Sequence, residues 1–162
     1  MELTQQFLHE LFEYRDGLLF WKVDRRGNKL KGKQASRLKK SNGYHEVTIN
    51  KKKHYAHRII FFMAYGRWPE QIDHIDGDRS NNVLSNLREA NNAQNNRNTG
   101  LRSTNMSGFK GVSYYKSNRK YIAKITVNYK SIHLGCFDTP QAAHEAYKQA
   151  ALKLHGDFAR IG

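Results

Sequence analysis

The stretch from 72 to 98 constrains this chain of 162 residues more than any other, because it holds few apolar side chains and is dense in groups that do chemistry. A run so polar cannot build a core of its own, so the rest of the chain must supply the scaffold that holds it. Asp73 and His74 sit in a short segment with apolar flanks, and Gly77-Asp78 makes a turn. Asn86 closes the loop twelve positions after His74, and Asn95 follows nine positions later. The pattern predicts a polar, Asn-rich helix from about 85 to 97 that carries Asn95.

These residue types suit phosphodiester hydrolysis. His74 is a general base, because a neutral imidazole accepts a proton near neutral pH. Asp73 and Asn95 offer hard oxygen ligands, which suit Mg²⁺ better than zinc. An ion held by so few protein oxygens keeps positions open for water and phosphate. The Asn86 amide can bridge backbone groups of the loop and so hold the His74 segment in place. An isolated Asp-His pair is more often structural than catalytic, and it is the full spacing that favours chemistry. Asn91, Asn92, Asn96 and Asn98 read as a solvated helix face or as phosphate contacts.

Asp73-His74, Asn86 and Asn95, with Asp76-Gly77-Asp78 and Asn86-Leu87-Arg88 between them, resemble the HNH nuclease motif. The variant is similar to the His-Asn-Asn form of phage homing endonucleases. The resemblance implies two short strands and a helix around one Mg²⁺ or Mn²⁺ ion. It implies His74 as the base, Asn86 as the loop-orienting residue, and Asp73 and Asn95 as metal ligands. Asn95 stands where many relatives have His, which matches the homing branch and argues against zinc.

The charge balance points the same way. Lys and Arg number 28 against 14 Asp and Glu, a net +14, so the expected partner is a polyanion, most simply double-stranded DNA. A membrane surface is the rival, but the chain has neither an 18-residue apolar run nor a basic amphipathic helix. The first residues lack a signal-peptide pattern, and the single Cys136 excludes an internal disulfide framework. A reducing cytoplasm fits, which the resemblance makes that of a phage-infected bacterium. Only 38% of the residues are hydrophobic, so the cores are expected to be small.

Before the motif, Leu3, Phe7, Leu8, Leu11 and Phe12 recur at helical spacing and predict one apolar helix face. A turn at 14–17 leads to a strand at 18–21 with Trp21 buried. Residues 22–43 carry Lys22, Arg25, Arg26, Lys29, Lys31, Lys33, Arg37, Lys39 and Lys40 against one acid, Asp24, and are broken by Gly27, Gly32 and Gly43. They read as an irregular segment that tracks phosphates, the alternative being a solvated flexible loop. A strand at 44–49 and a turn at 50–53 form a hairpin, and an apolar helix follows until Gly66, with Pro69 just beyond. Arg58 is a phosphate ligand in this reading. His57 is either a second active-site group or a packing or phosphate residue.

Residues 99–105 are small and polar and read as a linker. Beyond them the pattern predicts strands at 110–116, 120–127 and 131–137, then a helix capped by Thr139, opened by Pro140 and ended by Gly156. Tyr121, Ala123, Ile125 and Val127 share the face that should meet that helix. Lys110-Gly111-Val112, Tyr121-Ile122-Ala123-Lys124-Ile125, Leu134-Gly135-Cys136-Phe137-Asp138-Thr139 and Glu145-Ala146-Tyr147 resemble the Apetala-type DNA-binding domain of plant ethylene-response factors. That family reads the major groove with its sheet, which puts Lys110, Ser113, Tyr115, Lys124, Thr126, Ser131 and His133 at groove-facing positions. Several of these are Arg or Trp in the plant domains, so the resemblance does not carry over their GC-rich target.

The expected fold class is α+β. A two-strand-plus-helix HNH metal nuclease core at 1–98 is followed by a linker at 99–105. A three-stranded antiparallel sheet packed on one helix occupies 106–162. The expected function is a phage homing or nicking endonuclease, acting as a monomer on duplex DNA and leaving 3′-hydroxyl and 5′-phosphate ends. The rivals are a non-catalytic DNA-binding regulator and an RNA-directed protein that stacks bases on Tyr114, Tyr115 and Tyr129.

Overall fold

In the computed structural model, which describes residues 3–25 and 27–161, the buried apolar side chains gather into separate cores. They belong to two units, residues 1–91 and 92–162, each described by itself below. The division falls at 91/92, ahead of the 98/99 boundary expected from composition.

The first unit opens with α1 (Gln5–Leu11), capped by Thr4, whose hydroxyl accepts a hydrogen bond from the Phe7 amide. Phe12 does not continue the helix as its spacing suggests. It begins β1 (Phe12–Arg15), which pairs antiparallel with β2 (Leu18–Trp21) across a turn at Asp16-Gly17. The Phe12 and Trp21 rings meet at 4.8 Å, so a buried aromatic pair across the hairpin outweighs helical periodicity here. The basic segment is also more regular than its glycines imply. Within it β3 (Arg37–Lys39) pairs with β4 (Tyr44–Ile49), which pairs with β5 (Lys52–Tyr55) through a left-handed turn at Asn50-Lys51.

In this three-stranded sheet Val47 and Ile49 point into the core, while Arg37, Lys39, Thr48 and Lys53 share the opposite face. α2 (Ala56–Tyr65) is the centre of the first core, burying Ile59, Ile60, Phe61, Phe62 and Met63. Gly66 ends it in the left-handed region that a C-terminal cap favours. β6 (Gln71–His74) and β7 (Leu87–Ala90) then form an antiparallel pair, with Asp73 opposite Arg88 and His74 opposite Leu87. The single helix expected over 85–97 is therefore replaced. Residues Leu84–Asn86 make one 3₁₀ turn, Leu87–Ala90 are strand, and only α3 (Asn92–Arg97) is helical. Leu87 and Ala90 are buried at a spacing that suits either helix or strand, and the hydrogen-bonding edge of β6 decides between them.

The second unit contains α3 and a sheet in the order β10-β9-β8, made of β8 (Val112–Tyr115), β9 (Lys120–Val127) and β10 (Lys130–Phe137). α4 (Pro140–His155) packs across it, capped by Thr139 and ended at Gly156. Val112, Ala123 and Ala143 form one small core, and Ile125, Tyr147 and Ala151 form another. Residues 99–105 are fastened to this unit. Lys110 Nζ donates to the carbonyls of Arg97 and Thr99, and the Asn105 amide donates to that of Phe109.

Gly111 explains why β8 starts late. Its φ is +76°, and a Cβ there would lie 2.0 Å from the buried Tyr147 ring. Gly111→Ala is expected to destabilise the second unit by about 3 kcal/mol, from left-handed strain plus overpacking. An unchanged thermal melt would contradict this.

Candidate active site

The end of β6 brings two candidate functional side chains, Asp73 and His74, to adjacent positions. Asp73 is 3% exposed and His74 5% exposed. Asp73 Oδ2 accepts from Nε of Arg88 at 2.8 Å and from Nη2 at 2.6 Å. Arg88 is the cross-strand partner of Asp73, so pairing of the two strands sets this contact.

His74 has its Nε2 2.9 Å from Oδ1 of Asn82, within hydrogen-bond distance. Its ring also meets the edge of the His57 ring at 5.1 Å and the Tyr44 ring at 6.0 Å. The Arg79 guanidinium lies over the Tyr44 ring, 5.1 Å from its centre. His57 is buried on α2 and stacks on Tyr55 at 5.5 Å. Burial, then the nearby His74 and Arg58 charges, push the His57 imidazole down to about 3. It is neutral at physiological pH and packs against His74 as an aromatic group.

The loop between β6 and β7 is pinned by Asn86. Its Nδ2 donates to Asp76 Oδ1 at 2.9 Å and to the Asn81 carbonyl at 2.8 Å, while its Oδ1 accepts from the Asp76 amide at 3.0 Å. Its own carbonyl takes the Ile75 amide at 2.9 Å. One amide thus spans both ends of the loop that follows His74. Partial burial pushes the Asp76 carboxyl up, but hydrogen bonds from Asn86, Asn81 and the Asp78 amide outweigh it and hold the group below its ordinary value. Bonds from the Ser80 amide and hydroxyl do the same for Asp78. Both carboxylates therefore stay ionised and stiffen the loop.

Asn95 lies on α3 in the second unit. Among the described residues, no three His, Cys, Asp or Glu side chains converge on a metal position. The Asp73 carboxylate is a hard oxygen donor of the kind that suits a divalent ion keeping most of its waters.

The residues read as DNA contacts fall into several groups. Arg25 lies 5.2 Å from the Trp21 ring and bonds Asn50, and Arg26 falls outside the described residues. Arg37, Lys39 and Lys40 are exposed, with Lys39 paired to Glu46 at 3.3 Å. Arg58 donates to the carbonyls of Pro69 and Glu70, fastening α2 to the segment that leads into β6. Ser113, Tyr115, Lys124, Thr126, Ser131 and His133 are exposed, and the register puts them on the sheet face away from α4. Lys110 departs from this set because its ammonium is held by two carbonyls. Burial, then the Arg160 charge, push it down to about 8.

Two side chains that contact Asp73 and His74 are not singled out by the sequence reading. Asn82 is 1% exposed, and nothing separates it from its Asn neighbours in a polar loop. Arg88 could have been found, since Asn86-Leu87-Arg88 belongs to the motif and the strand register puts it opposite Asp73.

The family described as "HNH endonuclease" matches residues 54–97, from within β5 to the end of α3. Curated relatives include "Protein 3.8" of Escherichia phage T7, 35% identical over 107 residues, which are 65% of this chain and 88% of that protein. A second, "Uncharacterized HNH endonuclease L560" of Acanthamoeba polyphaga mimivirus, is 32% identical over 121 residues, 73% of this chain and 62% of that protein.

Proposed function

We propose, from the premise that this chain belongs to the HNH endonuclease family and is a DNA endonuclease, that it is a phage homing or nicking enzyme that hydrolyses one strand of duplex DNA as a monomer. The observation that supports the chemistry most directly is the His74 imidazole, buried at the end of β6 with its orientation held and its following loop clamped by Asn86. His74 takes a proton from a water, which attacks the phosphorus in line with the departing 3′ oxygen. Asp73 and Asn95 are the residues proposed to hold one Mg²⁺ or Mn²⁺. When bound, the ion polarises the phosphate and stabilises the negative charge on the leaving oxygen. The products carry 3′-hydroxyl and 5′-phosphate ends.

Addressing is separate from chemistry in this proposal. Arg37, Lys39 and Lys40 track phosphates, and the exposed face of β8–β10 reads base edges in the major groove as an Apetala-type domain would. The place of action is the cytoplasm of an infected bacterium. Among the described residues, no helix is long and apolar enough to cross a membrane.

The purified protein should convert supercoiled plasmid to open circles in Mg²⁺, and DNA ligase should reseal the product. Linear product from the first turnover, or ends that ligase rejects, would overturn the nicking assignment. Replacing Lys124 and Thr126 together by alanine should weaken duplex binding roughly tenfold or more and blur the cut-site pattern, as loss of base contacts does. An unchanged cut pattern would remove the sheet from the reading role.

A further inference from the structure

Asn82 meets the proposed base from a fully buried position, and it is a poor choice for packing alone. Its Nδ2 has no partner among the described residues, so the amide is retained with one of its ends unsatisfied. What it obtains is the 2.9 Å contact of Oδ1 with His74 Nε2.

The segment that carries Asn82 is braced from the N-terminal hairpin. Tyr14 on β1 accepts the Leu84 amide on its hydroxyl at 3.1 Å. Gly17, at the hairpin turn, packs so closely that a Cβ would lie 2.9 Å from the Val83 nitrogen and 3.0 Å from the Asn82 carbonyl carbon. From the loop side, Asn86 holds the carbonyl of Asn81 at 2.8 Å. Three contacts from two directions therefore fix the backbone around Asn82.

We propose that Asn82 is a positioning residue of the cleavage reaction. Its side-chain oxygen holds His74 in the tautomer protonated on Nε2, so that the lone pair on Nδ1 receives the proton of the attacking water. The proposal rests on the reading of His74 as the base. A neutral imidazole carries one proton. Were it on Nδ1, the Nε2 lone pair would face the lone pairs of Oδ1 in a buried site, with repulsion in place of a bond. The His57 and Tyr44 rings complete the arrangement by restricting the tilt of the imidazole. The N-terminal hairpin thus acts on the chemistry through a relay: Tyr14 and Gly17 fix Asn82, and Asn82 fixes the proton on His74.

The test uses the full-length protein labelled with ¹⁵N, with long-range proton–nitrogen correlations of the histidine rings assigned through His74→Gln. In the wild type, His74 should be protonated on Nε2. Asn82→Ala should populate the Nδ1-protonated form and lower kcat on supercoiled plasmid in Mg²⁺ by roughly a hundredfold or more, the scale of a base held in the wrong tautomer. KM should be unchanged, which a general loss of structure would not produce. Asn82→Asp keeps an acceptor at the same place and should restore both the tautomer and most of the kcat.

A wild-type His74 protonated on Nδ1 overturns the proposal. So does Asn82→Ala with wild-type kcat, or a folded Asn82→Asp with neither property restored. Should Asn82→Ala not fold, the wild-type tautomer and Asn82→Asp decide. If the tautomer is as expected but His74→Gln still cleaves, the positioning geometry stands and the assignment of the base has failed.

Discussion

His74→Ala is expected to lower DNA cleavage by roughly a hundredfold or more while leaving duplex affinity nearly unchanged. The first part follows from the loss of the only imidazole at the end of β6, since His57 is held down at about 3 and its ring packs within the aromatic group. A neighbour so placed cannot deputise without moving. The second part follows from the proposed source of binding, phosphate contacts by exposed basic residues, to which His74, 5% exposed, would add little. Single-turnover cleavage of supercoiled plasmid and a duplex titration at fixed salt measure the two parts separately. A variant that cuts at the wild-type rate would remove His74 from the role of base. A variant that loses affinity in parallel with rate would mean that the substitution had disturbed the fold, and a thermal melt would show it.

How much of this site is legible without the fold depends on the range of the interaction involved. α4 can be read from local signals alone: a Thr139 cap, Pro140 in the first turn, an alanine-rich stripe and Gly156 at the end. The same holds for the β4–β5 hairpin, α2 and the alternating strands of the second unit. Residues 87–90 are different. Leu87 and Ala90 are three apart, which suits a helix face, and only pairing with β6 makes them strand. Phe12 likewise belongs to a helical pattern until Trp21 lies opposite it. The motif spacing singles out Asp73, His74 and Asn86, but it does not reveal which side chain meets the far nitrogen of His74. That is Asn82, which is fully buried and whose segment is braced by a hairpin some seventy residues upstream, at Tyr14. Charge is legible as a count and not as an assignment. In sequence Arg58 reads as a phosphate ligand and Lys110 as a groove-facing residue, and in the fold both donate to backbone carbonyls that no local signal reveals.

Asp73→Ala is expected to depress cleavage by roughly a hundredfold to a thousandfold, and chelation of the wild type should do the same. This is the scale of several kcal/mol of lost transition-state stabilisation when a charge-neutralising ion is removed. Asn95→Ala should act in the same direction. A loss of the proposed metal ligand must be separated from a structural effect, because Asp73 also neutralises Arg88, whose side chain is only 17% exposed. Removing the carboxylate leaves a cation with little access to water, and that alone is destabilising by a few kcal/mol. Asp73→Asn is the discriminating variant: its amide oxygen can still accept from Arg88, but it has no charge to offer a divalent ion. It should melt closer to the wild type than Asp73→Ala does, yet bind Mn²⁺ more weakly and cleave nearly as poorly. In the wild type, Mg²⁺ or Mn²⁺ added after chelation should restore activity, because the proposed donors are hard oxygens, and Zn²⁺ should not substitute. Full activity in chelator, a strict zinc requirement, or wild-type Mn²⁺ affinity in Asp73→Asn would each place the ion elsewhere and leave Asp73 as the structural partner of Arg88.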